Sequence, residues 1–157
     1  MITKEEVQNA QKVWGEGVVK IGSLRGHRDK CESFTQEFVG KQYDFDSKEV
    51  LFKPTKTAQK QFRIVKSGAV SYFIGGNGDF SEDNGFALQP WTKVRFENAA
   101  LILEENRALA MGNYFFTDNN GNETKVEYTF GYVKSDRGEL KIDVHHSSLP
   151  FNPGSVV

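Results

Sequence analysis

The chain has 157 residues, the usual size of a single domain and enough to bury roughly 70% of its unfolded surface around one core. Twenty basic residues against twenty-one acidic ones leave a formal charge of −1, so no long-range field draws the chain to nucleic acid or anionic lipid. The lone Cys31 excludes an intramolecular disulfide, and the N-terminus carries Lys4, Glu5 and Glu6 in place of an apolar leader; one cytoplasmic domain over residues 1–157, with no membrane span, is the expectation.

Thr3 followed by Glu6 has capping-box spacing, and Val7, Ala10, Trp14, Val18 and Ile21 then recur every three or four residues, which predicts an amphipathic helix ending near Gly22. A second helix is expected from about Arg28, with Cys31, Phe34 and Phe38 on one face and Gly40 as its stop. The apolar run 50–52, closed by Pro54, reads as a short strand, with 61–65 returning beside it as a hairpin partner. Residues 69–74 are apolar throughout and read as a short helix.

Four segments rich in aromatic and β-branched residues follow, 91–103, 108–117, 125–134 and 140–149, separated by polar turns containing Asn106, Gly121 and Gly138. Helices first and a meander afterwards predict an α+β fold, with the N-terminal helices packed on a curved antiparallel sheet. Several strands are apolar on both faces, as in Leu109, Met111 and Phe115 against Ala108, Ala110 and Phe116. One face can pack on the helices, and covering the other calls for a homodimer or larger ring.

The densest polar cluster is His145-His146-Ser147-Ser148, at the end of the last strand. Alternation sends His145 and Ser147 to one face and His146 and Ser148 to the other. Adjacent strand histidines therefore diverge and cannot share a tetrahedral metal site, and His27 with Cys31 reads as a surface histidine beside a packing cysteine. No metal or cofactor is expected. Gly75-Gly76-Asn77-Gly78 lacks the lysine and hydroxyl residue of a phosphate-binding loop, and Lys53, Lys56, Lys60 and Arg63 read as a solvated hairpin face. Tyr72 lies in an apolar run where its hydroxyl needs a partner, and Thr55 follows Pro54 at a strand end.

The order of elements and the closing His146, Ser147 and Ser148 resemble the association domain of calcium/calmodulin-dependent protein kinase II, of the nuclear transport factor 2-like superfamily, over nearly the whole chain. More specifically, Val50-Leu51-Phe52-Lys53-Pro54-Thr55, Ser71-Tyr72-Phe73, Pro90-Trp91, Gly112-Asn113-Tyr114-Phe115-Phe116 and His145-His146-Ser147-Ser148-Leu149-Pro150 resemble the iota-class carbonic anhydrases of bacteria and algae. That resemblance implies reversible hydration of carbon dioxide to bicarbonate, a homodimer, and a site working without metal. It also implies a pocket threonine, tyrosine and histidine-x-serine pair, which fall on Thr55, Tyr72, His145 and Ser147.

The register stays open at this level, because the apolar series Leu140, Ile142 and Val144 would turn His146 and Ser148 toward the core instead. An imidazole of ordinary pKa, near 6.5, would be available as proton acceptor. The alternative function is a non-catalytic oligomerisation or ligand-binding module like the kinase domain. That domain's pocket carries arginines, whereas 114–117 and 129–132 here contain none. An isomerase on the same fold would need an inward carboxylate.

Overall fold

The computed structural model describes residues 1–155. Helix α1 (Lys4–Ser23) opens on the predicted capping box. Thr3 Oγ1 accepts the Glu6 backbone N–H at 3.1 Å, and Glu6 Oε2 accepts the Thr3 N–H at 2.7 Å, which satisfies donors that a helix start leaves open. Its buried face carries Val7, Trp14, Val18 and Ile21.

Helix α2 (Arg28–Gln42) runs through Gly40, the expected stop, and ends at Tyr43 in extended conformation. A helical glycine costs about 1 kcal/mol relative to alanine, too little to end a helix that continues into the wholly buried Tyr43.

Strand β1 (Leu51–Lys53) is short, and the hairpin strand expected over 61–65 does not form. Arg63 donates one backbone bond to the Phe52 carbonyl at 2.7 Å, but its side chain turns into the protein and β1 takes its strand partner from the far end of the chain. Helix α3 (Lys66–Ile74) matches the short helix read over 69–74 and is buried from Gly68 onward; Gly75 ends it at φ 62°, a conformation glycine adopts freely. Two 3₁₀ turns, Gly78–Phe80 and Phe86–Leu88, lead to the sheet.

Strands β2 (Trp91–Leu103), β3 (Arg107–Asp118), β4 (Glu123–Lys134) and β5 (Leu140–Ser148) form the expected meander. The sheet order is β1-β5-β4-β3-β2, antiparallel except that β1 runs parallel to β5. The α+β expectation is borne out, with this one parallel edge added.

The helices cover one face of the sheet. Trp14 sits at the centre, stacked on Tyr114 at 5.6 Å and edge-on to Phe73, Phe96, Phe116, Phe130 and His145. Along β3, Ala108, Ala110, Tyr114 and Phe116 are buried, while Met111 on the opposite face is 58% exposed. Among the described residues no helix is long and apolar enough to cross a membrane.

Candidate active site

The last strand contains an irregularity that decides which histidine faces inward. Tyr132 pairs with Ile142 and Gly131 with Val144, so Asp143 is an extra residue, a β-bulge in β5. Simple alternation from Ile142 would carry Val144 and His146 to the core. The bulge shifts the phase by one residue, and His145 and Ser147 are buried while His146 is exposed. Gly131 makes room for this, since a Cβ there would come within 2.9 Å of Val144 Cβ. Asp143 is held by Lys48 at 2.9 Å and by both terminal nitrogens of Arg107. Burial raises its pKa, but these two cations outweigh that and hold the carboxyl below its usual range.

Parallel pairing of Phe52 with His145 and Lys53 with His146 then carries Thr55, two residues beyond β1, alongside Ser147. Their hydroxyls lie 2.6 Å apart. Ser147 Oγ is also 2.5 Å from the Tyr114 hydroxyl, which lies 3.1 Å from His145 Nε2. On the other edge of the imidazole, Nδ1 is 2.9 Å from the Tyr43 hydroxyl, and that oxygen accepts the Trp14 indole N–H at 3.0 Å.

Tyr43, Tyr114 and Trp14 therefore belong to the same polar chain, and the sequence reading missed all three as functional residues. Tyr114 was visible only as part of a family-like motif, Trp14 read as one residue of an apolar helix face, and Tyr43 was not singled out; no sequence signal separates a core tyrosine from one bonded to a buried imidazole.

The His145 ring is clamped between Phe52 and Phe130, with centroids 4.7 and 4.0 Å away and near-parallel planes. Burial, with a smaller contribution from the charge of His146, pushes its pKa well below the ordinary value. The imidazole is neutral at working pH, which corrects the expectation of an ordinary pKa. Burial likewise raises the pKa values of Tyr43, Tyr72 and Tyr114, so their hydroxyls keep their protons.

Tyr72 comes from α3, and its hydroxyl accepts the Lys56 backbone N–H at 3.2 Å. It is anchored from behind. Ser71 Oγ donates to Asp83 at 2.5 Å, and Asp83 receives both terminal nitrogens of Arg63 at 2.7 Å. The Arg63 and Asp83 side chains are both wholly buried, and Arg63 also stacks over Phe80 at 4.4 Å. Arg63 is thus no part of a solvated basic face; it ties the 54–65 loop to α3 and the 78–89 loop. A hydrophilic-face reading could not detect this, because Asp83 lies 20 positions away.

Thr55, Tyr72, His145 and Ser147 all line one inner cavity of about 10 Å³, closed further by Trp14, Phe52, Phe73, Phe86 and Tyr114, with room for about one water. Among the described residues no carboxylate lines it. Tyr72 and Phe86, stacked at 5.5 Å, also line an outer cleft of about 200 Å³ together with Lys56, Glu82 and Asp83. Among the described residues no group of three or more His, Cys, Asp or Glu could hold a metal ion.

The family model described as metal-independent carbonic anhydrase matches residues 5–149. The chain belongs to the metal-independent carbonic anhydrase family. Its activity is that of a carbonic anhydrase, the reversible hydration of carbon dioxide to bicarbonate. The metal-independent carbonic anhydrase of Nostoc sp. (strain PCC 7120) is 40% identical over 153 residues, which span 96% of this chain and 75% of that one. The crystal structure of a cyanobacterial iota-carbonic anhydrase complexed with bicarbonate superposes with a TM-score of 0.93 at 40% identity, covering 96% of this chain and 94% of that one. A calcium/calmodulin-dependent protein kinase II association domain from Xanthomonas campestris shares the fold at a TM-score of 0.62 and 23% identity, covering 99% and 91%. The fold of this chain is thus shared with a protein named as an association domain, and the chemistry of this member lies in its site.

Proposed function

We propose that Thr55, Tyr72, His145 and Ser147, joined by Tyr114, form the site at which water adds to carbon dioxide. The observation that carries this reading is their convergence on one small cavity that, among the described residues, offers hydroxyl donors and a neutral imidazole but no carboxylate. In the hydration direction the water oxygen bonds to the carbon of carbon dioxide, one C=O pair moves onto an oxygen, and the water's proton passes to a solvent base, leaving bicarbonate.

A site of this kind accelerates the step by holding donors where negative charge develops. The Thr55 and Tyr72 hydroxyls supply them. The low pKa of His145 makes it a hydrogen-bonding element of the wall, in place of the proton store the sequence suggested. Carbon dioxide enters from the outer cleft past Tyr72 and Phe86, the two residues common to both spaces. Bicarbonate, bound by the cyanobacterial relative, leaves the same way. The reading as an isomerase is disfavoured because Asp143 and Asp83, the buried aspartates of the bulge and the clamp, are both committed to cations and neither lines the inner cavity.

The same reading includes a homodimer through the sheet's outer face. Met111 is 58% and Ile102 56% exposed there, and a second copy would cover them.

Carbon dioxide hydration measured for His145→Ala and His146→Ala tests the assignment. A loss confined to His145→Ala is the expected result, whereas equal activities in both folded variants would remove the buried histidine from the mechanism.

A further inference from the structure

The proton on His145 can be located from its neighbours. Trp14 Nε1 is a donor with no lone pair to offer, and it already donates to the Tyr43 oxygen. Tyr43 is wholly buried, and among the described residues its hydroxyl has hydrogen-bond partners only in Trp14 Nε1 and His145 Nδ1. Its single proton therefore has one acceptor, Nδ1. If Nδ1 carried the proton instead, the Tyr43 proton would be buried without an acceptor, a state that folded proteins avoid.

The neutral ring then bears its proton on Nε2 and donates to the Tyr114 oxygen. The same accounting fixes each later step. Tyr114 has one proton left to give, to Ser147, and Ser147 gives its own to Thr55. The Thr55 proton faces the cavity that it shares with Tyr72. Phe52 and Phe130 hold the ring plane, and a half-turn within that plane would put carbons where the nitrogens meet Tyr43 and Tyr114, losing both bonds.

We infer that Tyr43, backed by Trp14, is a positioning residue that locks His145 in its Nε2–H tautomer and thereby turns the Tyr114–Ser147–Thr55 chain outward, so that Thr55 meets the substrate as a donor. This rests on the reading of Thr55 as the substrate-facing hydroxyl. In the opposite tautomer every hydroxyl would reverse, and Thr55 would present a lone pair to the developing negative charge.

The test is a long-range ¹H–¹⁵N spectrum of protein labelled at histidine, combined with carbon dioxide hydration kinetics. In the wild type His145 should show a protonated Nε2 and an unprotonated, hydrogen-bonded Nδ1; a protonated Nδ1 overturns the inference. Tyr43→Phe should replace that single tautomer with averaged shifts and lower kcat severalfold, with a smaller change in KM. A folded Tyr43→Phe that keeps the pure Nε2–H tautomer, or keeps wild-type kcat, overturns the role of Tyr43. Should that variant fail to fold, Tyr114→Phe serves. It leaves the Tyr43 bond in place, so the Nε2–H tautomer should persist although kcat falls, and a scrambled tautomer would show that Tyr43 does not set it. The expected wild-type spectrum in a protein that does not hydrate carbon dioxide would count against the proposed site and leave the tautomer assignment standing.

Discussion

The hydroxyls of Thr55 and Ser147, 92 positions apart in the chain, lie 2.6 Å from each other because β1 pairs in parallel with β5. That contact closes one wall of the cavity and ends the line of hydrogen bonds that begins at Trp14.

Tyr72→Phe removes one donor while keeping the ring. If that hydroxyl stabilises developing charge, kcat should fall about a hundredfold, on the order of 3 kcal/mol, as for loss of one preorganised donor elsewhere. An ordinary core hydroxyl would instead change stability by about 1 kcal/mol and leave turnover alone. Thr55→Val should behave like Tyr72→Phe. Hydration rates and thermal midpoints measured together distinguish these readings, and wild-type turnover in either variant would remove that residue from the mechanism.

The buried Arg63–Asp83 pair predicts a stability effect with a secondary effect on activity. Asp83→Ala leaves a buried guanidinium without its carboxylate and should cost about 3–5 kcal/mol. For a chain of this size each kcal/mol lowers the midpoint by roughly 2–4 °C, so calorimetry should record a fall of roughly 6–20 °C. An unchanged midpoint would show that the clamp does not hold the two loops.

Acid should weaken the fold through His145. Its pKa in the folded protein is depressed by burial, while in the unfolded chain it returns to about 6.5. Below that pH the unfolded state binds a proton that the native state refuses, so stability falls as pH drops from about 6.5 toward the folded pKa, by at most ~1.4 kcal/mol per pH unit. His145→Gln should remove this part of the pH dependence. Denaturant midpoints of wild type and variant at about pH 7.5 and pH 5 check it, and parallel pH dependences would contradict a buried neutral imidazole.

Hydratase activity should survive exhaustive chelation, since His145 and His146 diverge from the strand and both His145 nitrogens are engaged by tyrosines. Activity lost on chelation and restored by zinc or manganese would sink the reading.

Light scattering at micromolar concentration should give a dimer, and Met111→Glu should weaken it by placing charge on the apolar outer face. A wild-type monomer would leave that face without the proposed role.

The sequence by itself determined the helices, the meander and the α+β class, because these rest on local physics. The Thr3 and Glu6 cap, the three-to-four spacing of Val7, Trp14 and Val18, and the turn glycines each act within a few residues. Family-like motifs also pointed to Thr55, Tyr72, His145 and Ser147. Other features depended on residues far apart in the chain. Strict alternation from Ile142 turns His146 inward; only the bulge at Asp143, stabilised by Arg107 and Lys48, reverses that phase. Arg63 read as solvent-facing until Asp83 met it in the interior. His145 had an ordinary imidazole pKa in sequence, and acquired a depressed one through burial, with Phe52 and Phe130 closing over its faces, and to a smaller extent through the charge of His146. Desolvation and donor direction are properties of a packed neighbourhood, and that neighbourhood exists only once α1, β1, β3 and β5 have come together.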